Sequence, residues 1–466
     1  MRIPHLRRLA ALAVALLATV GCGTETDTEP TAAPEDLTGE WRQWRGPNGQ
    51  GVSAETGLPT RWAPGGNNIH WQARVPGISN SSPIVSGGKV FLTTAWGQRK
   101  FRKFGQNETL RRAVVAFDVE SGEKLWETIV FRTGQERRHH LNTPAAATPL
   151  ADGERVYVYF GMGLAALDYD GNVVWEREVD PNYIERARYG VVSSPVLVGD
   201  AVVITRDDEW GGDTVQDISW LAAYDRRTGA ELWRTEHDET CCSYTTPVVR
   251  PTANGPELIF ASTPFVAAYD PASGERLWSI EHTLRQIVPT TILSDDLLIL
   301  PGSVHMRSVA VLRLQGQGSA TTHETLWGTT RSSPKIPSAV VLDGNLILLT
   351  DNGILVAHDP VTGQRRWQQR LEGGNYRSSL VAGDGQIYAT NDRCATTVVD
   401  SEGKVRGRNQ LEGNCEATAA IAGGRLYIRT ATELYSIERS VRNRAGKRKR
   451  GGENAEATTE SSEAED

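Results

Sequence analysis

One frame keeps returning along this chain: an alanine, an aspartate two residues later, a turn containing glycine, and a tryptophan four positions after that glycine. It is met at Ala116/Gly122/Trp126, Ala166/Gly171/Trp175, Ala223/Gly229/Trp233, Ala268/Gly274/Trp278 and Ala357/Gly363/Trp367. The spacing dictates a β-hairpin. Apolar residues alternate before the turn, the aspartate bonds its own backbone, and glycine supplies the positive φ of a bulged loop. The tryptophan then lands on the return strand, with an indole too large for one hairpin to cover. A neighbouring copy covers it, and the small alanine leaves room for the ring.

A second pattern precedes each hairpin: small hydroxyl residues or proline, apolar residues, a turn and another strand. Examples are SSPIVSGGKVFLTTA from Ser81, SSPVLVGDAVVITR from Ser193, SSLVAGDGQIYAT from Ser378 and ATAAIAGGRLYIR from Ala417. The two patterns together make four strands, and eight such units of roughly 46 residues fill 70–440, a propeller-blade length. First-hairpin signals begin near Ser81, Ala147, Ser193, Thr245, Thr290, Ser338, Ser378 and Ala417. Outer-strand positions fall at Trp71, Trp126, Trp175, Trp233, Trp278, Trp327 and Trp367, with Gly407 in the eighth place. The last unit lacks an outer strand, whereas NIHWQARV around Trp71 has no hairpin before it. The sequence therefore predicts an all-β, eight-bladed propeller over 69–440, built of four-stranded antiparallel blades. The early strand completes the last blade and removes the free sheet edges. The seven tryptophans dock blade on blade. In the fifth unit, VLRLQGQGSATTHETLW stretches the loop and loses the aspartate turn.

The ends read differently. Arg2, Arg7 and Arg8 precede an apolar run from Leu9 to Val20, then Gly21 and Cys22. A basic head, a short apolar core and small exit residues make an export signal over 1–21. TVGC resembles a lipobox, with Thr19 in place of the usual leucine; the resemblance implies acylation of Cys22 and an outer-membrane anchor, the alternative being a secreted or soluble periplasmic chain. Residues 22–40 are polar, acidic and too poor in apolar side chains to fold, and read as a tether. From 441 to 466 a basic block, NRAGKRKR, is followed by an acidic one, and the pair reads as a disordered tail. Without the signal the chain holds 47 basic against 57 acidic side chains. That balance excludes an ordinary nucleic-acid binder.

The repeat frame resembles the pyrroloquinoline-quinone-type β-propeller repeats, in which alanine, glycine and tryptophan occupy these places. Its closest form is similar to lipoproteins like the B component of the outer-membrane β-barrel assembly machinery. WRQWRGPNGQGVS, in a lead-in segment over 41–68, resembles a segment of uncharacterised bacterial members of this repeat family; Trp41 and Trp44 are expected to pack on the propeller. The resemblance implies a non-catalytic, monomeric scaffold that binds other envelope proteins.

Its alternative is a quinone-dependent dehydrogenase or sensor. In such enzymes a ring closed by adjacent cysteines lies against the quinone, and Cys241 and Cys242 are adjacent on a loop leading to an innermost strand. Adjacent α-carbons lie about 3.8 Å apart, below the usual disulfide range, so such a ring is strained. The quinone also needs cations, for which Arg186, Arg188 and Arg377 are the candidates, and calcium, for which no ligand spacing is visible. No C-x-x-C-H haem site is present. No cofactor is therefore expected, with the quinone and calcium as the alternative. Cys394 and Cys415, on one face of neighbouring blades, are a candidate disulfide in an oxidising compartment. Partner-binding candidates are the interleaved basic and aromatic residues Arg99, Lys100, Phe101, Arg102, Lys103 and Phe104, within a loop placed at 98–112, and Trp210. No G-x-S-x-G elbow, H-E-x-x-H or P-loop occurs.

Overall fold

The structure is a computed structural model that describes residues 38–97, 109–136, 138–181, 183, 190–207, 219–237, 242–305 and 308–439. Its strands form eight four-stranded antiparallel sheets. Seven use four consecutive strands each: blades 1 to 7 cover 84–133, 150–178, 196–237, 248–281, 292–329, 340–370 and 381–410. Blade 8 takes three strands from 420–438, and its outermost strand is Ile69–Arg74 from the far end of the chain. Trp71 there pairs with Ser436 and Arg74 with Glu433. The innermost strand of blade 1 also lies beside those of blades 2 and 8. The wheel is closed.

The aspartate turns form as the sequence requires. The Asp118 carboxylate accepts the Ser121 N–H at 2.7 Å, Asp225 that of Thr228 at 2.7 Å, and Asp359 that of Thr362 at 2.8 Å. Two or more such bonds favour the ionised form, and the Thr362 N–H holds Asp359 at about 2.

The core lies in the seams between blades. One cluster joins Tyr157, Leu164 and Trp175 of blade 2 to Val202, Ile204 and Trp220 of blade 3. Each alanine of the repeat pairs across its hairpin with its own blade's tryptophan, as Ala166 does with Trp175. The indole then reaches the next blade. Trp71, Trp126, Trp175, Trp233, Trp327 and Trp367 each donate Nε1–H, over 2.8 to 3.1 Å, to the carbonyl just after the next blade's turn aspartate or its equivalent. The ring lies on that turn's glycine. A Cβ at Gly122, Gly171, Gly229, Gly274, Gly363 or Gly403 would come within 2.4 to 2.7 Å of the previous blade's indole, and all six have positive φ. Glycine thus serves the turn and the seam together, and the second duty was not visible in the sequence.

Candidate functional site

A propeller offers its central channel and two mouths as binding ground. The upper mouth carries the loops leading into each innermost strand and the loops between second and third strands. The lower mouth carries the tight turns.

The lower mouth is crossed by the lead-in segment. Trp41 exchanges two backbone hydrogen bonds with Val85 of blade 1, and Val52 bridges to Ala382 of blade 7. Arg45, fully buried, donates to the carbonyls of Gly49, Gln50, Ala339 and Leu380. Loss of water pushes this guanidinium down to about 9. Glu55 accepts from the N–H groups of Gly423 and Gly424 in blade 8. Farther along, Pro59 and Thr60 bond to Tyr388 and Asn409 of blade 7, and the Trp62 N–H donates to Asn409 at 2.8 Å. A Cβ at Gly407 would lie 1.8 Å from the Thr60 carbonyl. The backbone of 59–62, with the buried Trp62, therefore occupies the seam where the eighth tryptophan is missing.

Around the channel wall runs a belt of hydroxyls. The residue two positions before each innermost strand is Ser or Thr: Ser82, Thr148, Ser194, Thr246, Thr290, Ser338, Ser379 and Thr418. Ser82 N–H donates to Thr148, Thr148 to Ser194, Ser194 to Thr246, Thr290 to Ser338, Ser338 to Ser379, Ser379 to Thr418, and Thr418 back to Ser82, over 2.9 to 3.2 Å. One link is absent among the described residues. Thr290 Oγ1 accepts Trp44 Nε1–H at 3.1 Å, in the place where the Thr246 N–H would bond. The recurring Ser-Ser-Pro and Thr-Thr-Pro signals marked the belt's positions, although the sequence reading used them only to count blades.

At the upper mouth, Cys242 is half-buried with φ +67° and is disulfide-bonded. Beside it, Ser243 N–H and Ser262 Oγ–H donate to the Asp207 carboxylate. Arg377 donates to Glu416 at 2.6 Å, and burial raises the Glu416 carboxyl. Cys394 and Cys415, both fully buried, are joined by a disulfide across blades 7 and 8, with α-carbons 5.0 Å apart. Cys22, Arg99, Lys100, Phe101, Arg102, Lys103, Phe104, Arg186, Arg188, Trp210 and Cys241 lie outside the described residues. The expected loop over 98–112 is shorter at its end, because Leu110–Asp118 is a strand and Arg112 is buried against Glu136.

Of the quinone candidates, Cys242 and Arg377 are among the described residues, and Arg186, Arg188 and Cys241 are not. Arg377 is held by Glu416, and no group of three or more His, Cys, Asp or Glu among the described residues converges to hold a metal.

A family model described as "Outer membrane protein assembly factor BamB" matches residues 52–209 and 217–445. The chain belongs to the BamB family. A curated family relative, the outer membrane protein assembly factor BamB of Burkholderia pseudomallei (strain K96243), is 27% identical over 199 residues. That match covers 36% of this chain and 47% of the relative, so the chain spans about half that relative's length. The solved BamB of Moraxella catarrhalis superposes with a TM-score of 0.51 at 15% identity, covering 74% of this chain and 96% of that one. A europium-containing methanol dehydrogenase reaches 0.63 at 11% identity, covering 86% of this chain and 98% of that chain. The quinohemoprotein alcohol dehydrogenase of Comamonas testosteroni reaches 0.62 at 12%, covering 87% and 82%. At these identities the solved structures speak for the shared fold alone. The same fold is found in a solved BamB and in solved dehydrogenases.

Proposed function

We propose that this BamB-family chain is a non-catalytic propeller scaffold of the cell envelope. It is anchored through lipidated Cys22 and holds partner proteins of outer-membrane protein assembly. The observation that carries this reading is the family match along nearly the whole propeller. The geometry supports it: the lower mouth is crossed by the chain's own segment, and Arg377 is committed to Glu416. The wheel is then a stiff platform, and the candidates Arg99, Lys100, Phe101, Arg102, Lys103, Phe104 and Trp210 belong to its contact surface.

The second reading, a quinone-dependent dehydrogenase, draws on the disulfide-bonded Cys242 beside the channel. One two-armed experiment separates the readings. Cells lacking the chain are expected to show reduced outer-membrane β-barrel protein, restored by the intact chain but not by one with Gly and Ser in place of residues 99–104. The purified chain, titrated with the quinone and calcium, is expected to show no saturable absorbance change and no dye-linked alcohol oxidation. Unchanged envelope composition together with quinone-dependent oxidation would overturn the proposal.

A further inference from the structure

The lead-in segment uses one docking mode repeatedly. In each three-residue innermost strand the middle residue, and in Leu150–Ala151 of blade 2 the second, turns its N–H away from the second strand and toward the channel, because hydrogen-bonded and free positions alternate along an antiparallel edge. The segment takes four of these groups. Val85 N–H donates to the Trp41 carbonyl at 3.0 Å, Ala151 N–H to that of Arg42 at 2.8 Å, and Ala382 N–H to that of Gly51 at 2.8 Å. Leu293 N–H donates to Gln50 Oε1 at 2.9 Å. Blade 6 meets the segment through Arg45 and blade 8 through Glu55. Among the described residues, adjacent blades 3 and 4 receive no hydrogen bond from it.

Those two blades border a cavity of about 350 Å³, walled on the other side by Trp44 and Pro47. Leu197 and Val249, the middle residues of their innermost strands (Val196–Val198 and Val248–Arg250), both line it. So does Thr246, the belt residue whose N–H meets no hydroxyl. Proline and aliphatic side chains make up much of the remaining lining, and no lining residue carries an ionisable side chain. A charge entering here would lose its water without gaining a partner.

We infer that this cavity binds an extended, uncharged peptide segment of a partner protein. Its carbonyls accept from the Leu197 and Val249 N–H groups, continuing along blades 3 and 4 the edge pairing that the lead-in segment makes elsewhere. This chain's own ends suit the site poorly: 440–466 carries charges every few positions, and the one five-residue uncharged run of 23–37, Pro-Thr-Ala-Ala-Pro at 30–34, is flanked by Glu29 and Glu35 and has proline, which lacks an N–H, at both ends. The inference goes beyond the scaffold proposal and does not depend on the upper-mouth loops, so either can fail without the other.

The test uses the full chain and a capped, uncharged pentapeptide, acetyl-Thr-Val-Thr-Val-Thr-amide. Calorimetry is expected to show saturable binding, and hydrogen exchange to slow within 196–199 and 246–250. Leu197→Pro removes one edge donor at a position where proline is tolerated, and should weaken binding at least tenfold. Asn48→Trp fills the cavity from the opposite wall and leaves the sequence of both strands unchanged, and should abolish binding even if the proline variant fails to fold. Absence of saturable binding, protection confined to other strands, or full binding by Asn48→Trp would each overturn the inference.

Discussion

Two seams of the wheel break the tryptophan rule, and they break it in opposite ways. Between blades 7 and 8 the tryptophan is gone, yet the joint is reinforced: Thr60 and Trp62 of the lead-in segment fill the vacated place below, and Cys394–Cys415 ties the blades above. Between blades 4 and 5 the tryptophan remains, but its connections are rerouted. Trp278 Nε1–H bonds Glu257 of its own blade at 3.1 Å, and the other oxygen of that carboxylate accepts the Gly318 N–H from blade 5's stretched loop at 2.6 Å. The same seam lacks its belt link and adjoins the cavity. A missing side chain can thus be compensated by distant backbone, whereas a retained one guarantees no regular joint. We take the 7/8 seam as the tighter of the two.

The largest expected effect tests that ranking. Trp62→Ala should cost about 3–5 kcal/mol in chemical denaturation, the usual range for a buried aromatic. A loss below about 1 kcal/mol would show that the backbone of 59–60 fills the seam unaided. Next comes acid. His282, on the loop from blade 4 to blade 5, is pushed down by burial from 6.5 to about 4. Its folded-state value lies below its unfolded one, so its contribution is intact above about pH 6.5 and is lost as the pH falls toward 4. The full loss approaches about 3 kcal/mol. Denaturation curves at pH 7 and 4.5 should show it, and His282→Phe should shrink the difference. The smallest effect belongs to Thr290→Val. It removes the acceptor of Trp44 and should cost about 1 kcal/mol, seen as a small fall in denaturation midpoint. No change would mean that water replaces the hydroxyl.

Much of the wheel was legible because its information is local and repeated. The Ala, Asp, Gly and Trp spacing fixed the hairpin, eight units fixed the count, and a surplus strand at the start with a missing one in the last unit implied the closure seen at Trp71 and Ser436. The departure of the fifth unit was also visible, as was the face shared by Cys394 and Cys415. The lead-in segment was legible only as something that packs. Its bonds run from Arg45 to Ala339 and Leu380 and from Trp62 to Asn409, across hundreds of residues, and no periodicity in WRQWRGPNGQGVS encodes such a path. Arg377 looked like a free cation for a similar reason: Glu416, which neutralises it, lies in the next repeat. Repeats announce what each unit does alike, and a channel is shaped by what its units do differently.

Fastening the first strand to the last also sets a timetable for synthesis. Ile69–Arg74 leaves the ribosome before any blade exists, and its partner, Glu433–Glu438, leaves after nearly all of them. Until that meeting the nascent chain is an open arc with a bare edge at each end, vulnerable to pairing with other chains. Closing so long a loop is entropically slow. A truncation of a few residues at the carboxyl side of the last blade should therefore leave an arc that never shuts.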